Sequence, residues 1–231
     1  MRKGYILFAF MWMCLHASGQ SAPEALKLIK EVTQKFNKVR DYQVDAEIDA
    51  RISFLKILPQ KAKVFYKSPS KFHVESKGIA ILPKQNFDQI FSLLNTESNF
   101  MAFVSGSENL NGAATSIVNV VPLSDTSDLV LAKLWIDVAQ GLIVKSQLTT
   151  KTNGTVLIEY IYKTWNALAL PDKTIFTVDV KRFKIPKAIS ADINSKATQE
   201  DKNKPQKPGR IIISFSNYKI NKGIDDKVFA K

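Results

Sequence analysis

Residues 42–54, YQVDAEIDARISF, alternate between apolar and polar side chains along their whole length. The even-numbered positions hold Tyr, Val, Ala, Ile, Ala, Ile and Phe, and the odd-numbered positions hold Gln, Asp, Glu, Asp, Arg and Ser. Because successive side chains of a β-strand point to opposite faces, this period of two gives one dry and one wet face. Such a strand is typical of an antiparallel sheet that packs one face on a core. The stretch therefore predicts a long antiparallel strand.

The residues before this strand predict an amphipathic helix over 22–39. Apolar side chains recur there at steps of three and four residues, with Lys and Glu between them. Pro23 suits the first turn of a helix, because its missing N–H would have no partner there. The apolar stripe consists of Leu26, Ile29, Val32, Phe36 and Val39.

The residues after the strand predict further short strands, interrupted once by a helix. The turn at Ser68-Pro69-Ser70 and the Asn153-Gly154 pair favour hairpins. Segments rich in Gly, Ser, Asn and Lys, at 105–115 and 188–209, predict exposed loops. The expected strands are 61–67, 72–76, 99–104, 117–121, 129–137, 142–163 around its turn, 173–182 and 211–218, and the expected helix lies within 82–98. The chain thus reads as one mainly β domain, a long curved antiparallel sheet with few helices.

The N-terminus predicts a secretory signal peptide over residues 1–19, followed by a single domain over 20–231. Arg2 and Lys3 precede an apolar run over 5–15, and the small residues 17–19 form a cleavage site. A membrane anchor is disfavoured, because about 20 apolar residues are needed to span a bilayer. Cys14 follows the large residues Trp12 and Met13, which argues against a lipidated cysteine. A lipidated, membrane-anchored protein is kept as an alternative.

The charge leaves two interpretations open. The formal net charge is +12, and removal of Arg2 and Lys3 leaves 31 basic and 21 acidic residues, so about +10. A basic surface can meet nucleic acid, anionic lipid or an acidic protein, and export disfavours nucleic acid. The alternative is that the basic residues are spread over the strand faces and serve only to keep the protein soluble. Neither interpretation is favoured over the other.

The sequence contains no pattern that predicts catalysis, a metal or a cofactor. His73 is the one histidine after residue 19, and a nucleophile with its base would need matched partners around it. Without Cys14 no cysteine remains for a disulfide or a metal site. Asp45, Glu47 and Asp49 are predicted to lie on a solvated strand face. The acidic residues in 124–128 are predicted to form the hydrogen bonds of a turn before the next strand. The chain is therefore predicted not to be an enzyme.

An apolar sheet face must be covered, and the two predicted helices are the available covers. If they pack tightly, the face is only a core; if they move, it is a hydrophobic pocket. Periodicity alone leaves these two possibilities equally open.

The order of several segments resembles the periplasmic outer-membrane lipoprotein carrier (LolA-like) family. The resemblance rests on 41–46 (DYQVDA), 64–75 (VFYKSPSKFHVE), 121–123 (VPL), 133–137 (KLWID), 141–145 (GLIVK) and 217–229 (NYKINKGIDDKVF). It implies an incomplete antiparallel β-barrel closed by a helical lid, with acyl chains held on the concave apolar face. It also implies a lipoprotein chaperone that takes cargo from an inner-membrane release complex to an outer-membrane acceptor, without catalysing a reaction.

In this interpretation the in-phase apolar residues are candidates for binding acyl chains. The lining candidates are Val44, Ile48, Ile52, Phe54, Val64, Tyr66, Phe72 and Val74, and the lid candidates are Ile90, Phe91 and Leu94. The family holds its lid with an arginine on an early strand, and Arg51, the only candidate here, lies in the polar phase. Together with the predicted signal peptide, the resemblance implies a soluble, monomeric periplasmic carrier of lipoproteins or lipids. The alternative is an envelope-stress sensor, or another interaction protein, on the same fold.

Overall fold

A computed structural model describes residues 22–52, 55–56, 58–76, 87–152, 154–178 and 208–230. The predicted signal peptide, Cys14, Phe54 and most of the 188–209 loop lie outside these residues. The helices are α1 (Pro23–Phe36) and α2 (Phe87–Leu94). The strands are β1 (Asp41–Ile52), β2 (Leu55–Lys56), β3 (Gln60–Lys67), β4 (Lys71–Ser76), β5 (Phe100–Leu110), β6 (Ala113–Pro122), β7 (Leu129–Asp137), β8 (Leu142–Thr150), β9 (Gly154–Ile161), β10 (Lys173–Val178) and β11 (Gly209–Ile220).

The strands form one antiparallel sheet in the order β4-β3-β1-β11-β10-β9-β8-β7-β6-β5, with β2 paired to β1. The neighbours in this order are mostly neighbours in sequence, so short hairpins connect them. The order ends at β4 on one side and β5 on the other, and these two strands do not pair within the described residues. The sheet is therefore curved but not closed, which confirms the expected incomplete barrel.

The alternation in β1 sets the two faces of the sheet, as the sequence predicted. Its even-numbered residues from Tyr42 to Ala50 are buried, whereas the odd-numbered ones are half-buried or exposed. Ile211 and Ile213 of β11 pair with Ala50 and Ile48 and are also buried. We call the face that carries these residues the inner face.

Helix α1 lies against the inner face and is tied to the sheet at both ends. Ile29, Val32 and Phe36 are buried, as the predicted apolar stripe requires. Leu28, which was not in that stripe, is buried as well, whereas Leu26, which was, is half-buried. At its start, the N–H of Ala22 donates to the carbonyl of Ala102 in β5, at 3.0 Å. At its last turn, the Lys35 Nζ donates to the backbone carbonyl of Gln140, between β7 and β8. Neither described helix is long and apolar enough to cross a membrane.

The prediction of a loop over 105–115 is wrong. Strand β5 continues to Leu110, and β6 begins at Ala113. Asn111 and Gly112 both have positive φ, 52° and 88°, which is the backbone of the tight type I′ hairpin turn. Gly106 sits at a register shift in β5 and absorbs a bulge there. The small polar residues therefore serve a turn and a bulge within a hairpin.

The hairpin predicted around Asn153-Gly154 is present as β8 and β9, with Thr150 paired to Gly154. The predicted helix behind Pro83 is α2, followed by a short 3-10 helix over Glu97–Asn99.

The residues that follow β11 are hydrogen-bonded to the residues at the start of β1. Asn221, whose φ is 55°, accepts a hydrogen bond from the N–H of Arg40 at 2.7 Å and donates one to the carbonyl of Lys38 at 2.9 Å. The Asp41 carboxylate accepts the N–H groups of Lys222 and Gly223, each at 3.0 Å. These bonds satisfy backbone N–H and carbonyl groups just before β1 and just after β11.

Candidate functional site

The predicted lining residues of β1, β3 and β4 come together on the inner face. Val44, Val64 and Val74 lie opposite one another in register across the three strands. Tyr66 and Phe72 form the next row. Phe72 and Val74 on the edge strand are half-buried, and the other described members, Val44, Ile48, Val64 and Tyr66, are buried. The side chain of Ile52 is outside the described part of the chain, like Phe54.

The predicted lid residues lie on α2 and are buried against α1. Ile90, Phe91 and Leu94 are each at most 3% exposed. The Phe91 ring stacks on Phe36 of α1 with centroids 4.3 Å apart. Phe36 in turn lies 5.4 Å from the ring of Tyr66. Phe36 thus joins the lid helix α2 to the lining, and in this state the face and its cover are packed together.

The attachment of α2 differs from that of α1. Helix α2 packs mainly on α1 and on the 3-10 helix that follows it. Between the side chains that the structure describes, a hydrogen bond from Asn37 Nδ2 to Asn95 Oδ1 at 3.0 Å joins the ends of the two helices. Such a contact can be broken without disturbing a strand. Whether the face receives a ligand stays a prediction.

The sequence analysis missed the other half of the inner face, on β6 to β11. Its buried apolar members are Val118, Val120, Ala132, Leu134, Ile136, Leu148, Val156, Ile158, Phe176, Ile211 and Ile213. Burial alternates with a period of two along 146–150 and 156–160, but the sequence shows this only weakly, because Ser146 and Thr150 lie in the buried phase and Leu157 in the other phase. The apolar face therefore extends across the whole sheet.

Three hydroxyl groups lie close together on this half of the inner face. Ser146 and Tyr160 share a hydrogen bond of 2.9 Å. Burial raises the pKa of the Tyr160 phenol well above its ordinary value, against the bond to Ser146, which lowers it. The phenol is therefore neutral at physiological pH. The third hydroxyl belongs to Thr174, which is 3% exposed and lies directly opposite Tyr160 in register.

A second tyrosine is fixed beside them. Tyr162 Oη donates to the backbone carbonyl of Ile143 at 2.9 Å. Its pKa is also raised, first by burial and then by the neighbouring phenols of Tyr160 and Tyr218.

Arg51 lies on the outer side of the sheet. Its guanidinium is 2.7 Å from the Asp49 carboxylate, and its side chain is 66% exposed. It does not reach the inner face. Arg51 is therefore not the arginine that, by the resemblance, would hold the lid. The packing of Phe36 on Phe91 holds the lid helix instead.

The outer side of the sheet carries opposite charges in register. Asp45 pairs with Lys63, Glu47 with Lys61, and Lys63 with Glu75. They line an open groove of about 820 Å³. Cross-strand pairs of opposite charge stabilise a sheet modestly, which accounts for the polar phase of β1.

The described residues assemble no catalytic or metal-binding cluster. No group of three His, Cys, Asp or Glu side chains there could hold a metal ion. His73 lies on the outer side, with its ring 6.2 Å from Phe65 and its Nε2 4.0 Å from Glu75. Asp128 binds Thr152 at the β8–β9 turn, consistent with turn chemistry for the 124–128 cluster. The expectation that the chain is not an enzyme stays a prediction.

No family profile and no curated protein sequence matches the chain. Solved structures do match it over most of their length, among them the following three. A DUF1329 family protein from Desulfovibrio piger is 11% identical, with 91% of this chain and 97% of that chain covered and a TM-score of 0.57. A LolA superfamily protein from Nitrosomonas europaea is 10% identical, with 90% and 97% covered and a TM-score of 0.57.

The third is a putative outer membrane lipoprotein-sorting protein domain from Vibrio parahaemolyticus, 9% identical, with 89% and 96% covered and a TM-score of 0.55. Identities this low carry information about the fold alone. Together with the open antiparallel sheet and its two covering helices, they show that the chain has a LolA-like fold.

Proposed function

We propose that this protein is a periplasmic carrier that binds the acyl chains of lipoproteins or lipids on its inner face and delivers them to the outer membrane. One observation carries the proposal. A continuous apolar face on an open sheet is covered by a helix, α2, which is held by side-chain packing on α1 and by the Asn37–Asn95 bond.

The free energies favour an exchange between lid and cargo. Burial of an acyl chain stabilises the complex by about 0.8 kcal/mol per CH₂, or roughly 11 kcal/mol for about 14 methylenes. Exposing three large lid side chains costs about 1.5–3 kcal/mol each, roughly 5–9 kcal/mol together. The lid residues concerned are Ile90, Phe91 and Leu94. One acyl chain could therefore replace the lid helix on the inner face with a small surplus, which suits a cargo that must also be released.

The proposal includes the cellular route implied by the sequence. Export depends on the signal peptide over residues 1–19, and delivery depends on a release complex in the inner membrane and an acceptor in the outer membrane. The similarity to a lipoprotein-sorting domain supports this route. We further propose that the carrier works as a monomer, without a cofactor and without catalysing a reaction.

Purification of the exported protein from a bacterial envelope tests the proposal. We expect extraction and mass spectrometry to find lipid or lipoprotein in stoichiometric amount. We also expect the delipidated protein to accept a fluorescent acylated peptide. A protein that carries no lipid and rejects the peptide would contradict the carrier function and favour the sensor alternative. Lipid found covalently on Cys14 would instead establish a membrane-anchored protein.

A further inference from the structure

The hydroxyl of Thr174 has no hydrogen-bond partner among the residues that the structure describes, although the side chain is buried. Its Oγ1 atom is inaccessible to solvent, and the residue is 3% exposed. An unpaired buried hydroxyl is unfavourable, so folded proteins rarely keep one without a reason. Valine has nearly the same shape and would fill the site without leaving a hydroxyl unpaired. The Thr174 hydroxyl is therefore available to a ligand that reaches this face.

The position of Thr174 is that of an inner-face residue within the proposed binding surface. It lies opposite Ile213 of β11 on one side, and Ile213 lies opposite Ile48, one of the predicted lining residues. On the other side it lies opposite Tyr160, whose phenol is bonded to Ser146. The three hydroxyls thus form a short polar row across β8, β9 and β10 on an otherwise apolar face.

Two members of the row lie near one end of their strands. Thr174 is the second residue of β10, which follows directly on the turn that ends at Asp172, and Tyr160 is the last but one residue of β9. A ligand whose polar end stays near these strand ends could place its first polar atom at Thr174 and its apolar tail along the face. An acyl chain has this construction, because a carbonyl oxygen separates its hydrocarbon tail from the head group.

We propose that Thr174, flanked by the Ser146–Tyr160 pair, is a polar subsite that donates a hydrogen bond to the carbonyl oxygen of a bound acyl group. The inference rests on the proposed carrier function and adds the group that the inner face recognises. The carbonyl can belong to the ester of a glycerolipid or to the N-terminal amide of a lipoprotein. In both cases the Thr174 O–H is the donor and the carbonyl oxygen the acceptor.

The test compares ligands with and without the carbonyl. Binding is measured for a fluorescent diester phosphatidylglycerol, its diether analogue and an N-palmitoyl peptide. One hydrogen bond contributes about 0.5–1.5 kcal/mol, so we expect the wild type to prefer the diester over the diether about 2- to 12-fold. Thr174→Val should abolish this preference by weakening diester binding while leaving diether binding unchanged, and Thr174→Ser should keep it. If Thr174→Val weakens peptide binding but not diester binding, the carbonyl is that of a lipoprotein amide.

Thr150→Val is the matched control. Thr150 is also buried, but its Oγ1 donates to the carbonyl of Gly154 at 3.2 Å. We expect this variant to lose stability and to keep the diester preference, whereas Thr174→Val should melt at the same or a higher temperature than the wild type. A Thr174→Val protein that binds all three ligands as the wild type does would overturn the subsite. A wild type that binds none of them would overturn the carrier function as well.

Discussion

Asp172 shows how a single carboxylate shapes the connection between β9 and β10. It accepts the N–H of Lys163 at 2.7 Å, the N–H of Thr164 at 3.0 Å and the hydroxyl of Thr164 at 2.8 Å. Partial burial raises its pKa, but the hydrogen bonds from Thr164 and Lys163 lower it further, so the net shift is downward. The carboxylate therefore stabilises the turn in its charged form.

Asp172→Asn should lower the free energy of unfolding by about 1 kcal/mol at neutral pH, because charge-assisted bonds at a partly exposed site are screened. A carboxyl whose folded-state pKa is depressed contributes stability above its unfolded pKa of about 3.9, and that stability is lost as the pH falls through the folded value. The difference between wild type and variant, measured by urea denaturation, should be constant from about pH 8 to pH 5 and shrink below about pH 4.

Asp125→Asn serves as the control for this prediction. Asp125 is exposed, and its backbone oxygen rather than its carboxylate accepts the bond from Lys151. Its substitution should leave the stability unchanged. A pH-independent difference for Asp172→Asn would contradict the role assigned to the charge.

At the residue scale, the sequence predicted the phase of β1 but not the hydroxyl row. Alternation alone identifies Val44 and Ile48 as inner-face residues, since it needs only local periodicity. The bond between Ser146 and Tyr160, and the missing partner of Thr174, depend on the registers of three strands. Registers follow from turn geometry and from the complete pairing of the sheet, which single positions do not reveal.

Among the elements, α2 is the one whose displacement would uncover the inner face at least cost. Phe91→Ala removes the ring that stacks on Phe36. It should lower the free energy of unfolding by about 3–5 kcal/mol, as expected for a buried phenylalanine. Because the closed state is weakened, association with a fluorescent acyl probe should become faster in stopped-flow measurements.

Phe65→Ala separates lid opening from general instability. Phe65 is also buried, at 7% exposed, but it lies on the outer side of β3 opposite His73, away from the cover and from the inner face. We expect a comparable loss of stability without faster association. Equal acceleration in both variants would show that α2 is not the gate.

Among the secondary-structure elements, amino-acid composition gave a wrong prediction for the β5–β6 hairpin, which its turn residues would have predicted correctly. The 105–115 segment is rich in small polar residues, which suggested a loop, yet its Asn111-Gly112 pair is the same hairpin signal as Asn153-Gly154. Residues flanking the pair are not apolar enough to alternate visibly, because part of β5 is exposed. Helix α1 was easier to predict, since Ile29, Val32 and Phe36 of its predicted stripe are buried at helical spacing.

For the molecule as a whole, the positive charge and the apolar surface lie on opposite sides of the sheet. Lys63 and Lys145 project from the outer side, each opposite a carboxylate, Asp45 and Glu159 respectively. These pairs spread charge over the described strands rather than concentrating it in one patch, which favours the solubility interpretation. Selection of a ligand would then rest with the inner face.

Access to that face requires the cover to open, and the attachments of the helices indicate how. Helix α1 is bonded to Ala102 at one end and to Gln140 at the other, whereas α2 is held through Asn37 and Asn95. We expect α2 to move while α1 stays in place. Cysteines can report this cleanly in a chain that begins at Gln20, because Cys14 is the one native cysteine.

The pair Asn37→Cys and Asn95→Cys, joined by a short bifunctional thiol reagent, should fix α2 on α1. Apparent affinity scales with the fraction of protein that can open, so binding of the acyl probe should fall about tenfold or more. The pair Lys35→Cys and Gln140→Cys, joined in the same way, fixes α1 on the β7–β8 turn and should leave binding unchanged. The reverse result would mean that α1 is the moving element, and the carrier would then open by detaching a helix that is bonded to both sides of its sheet.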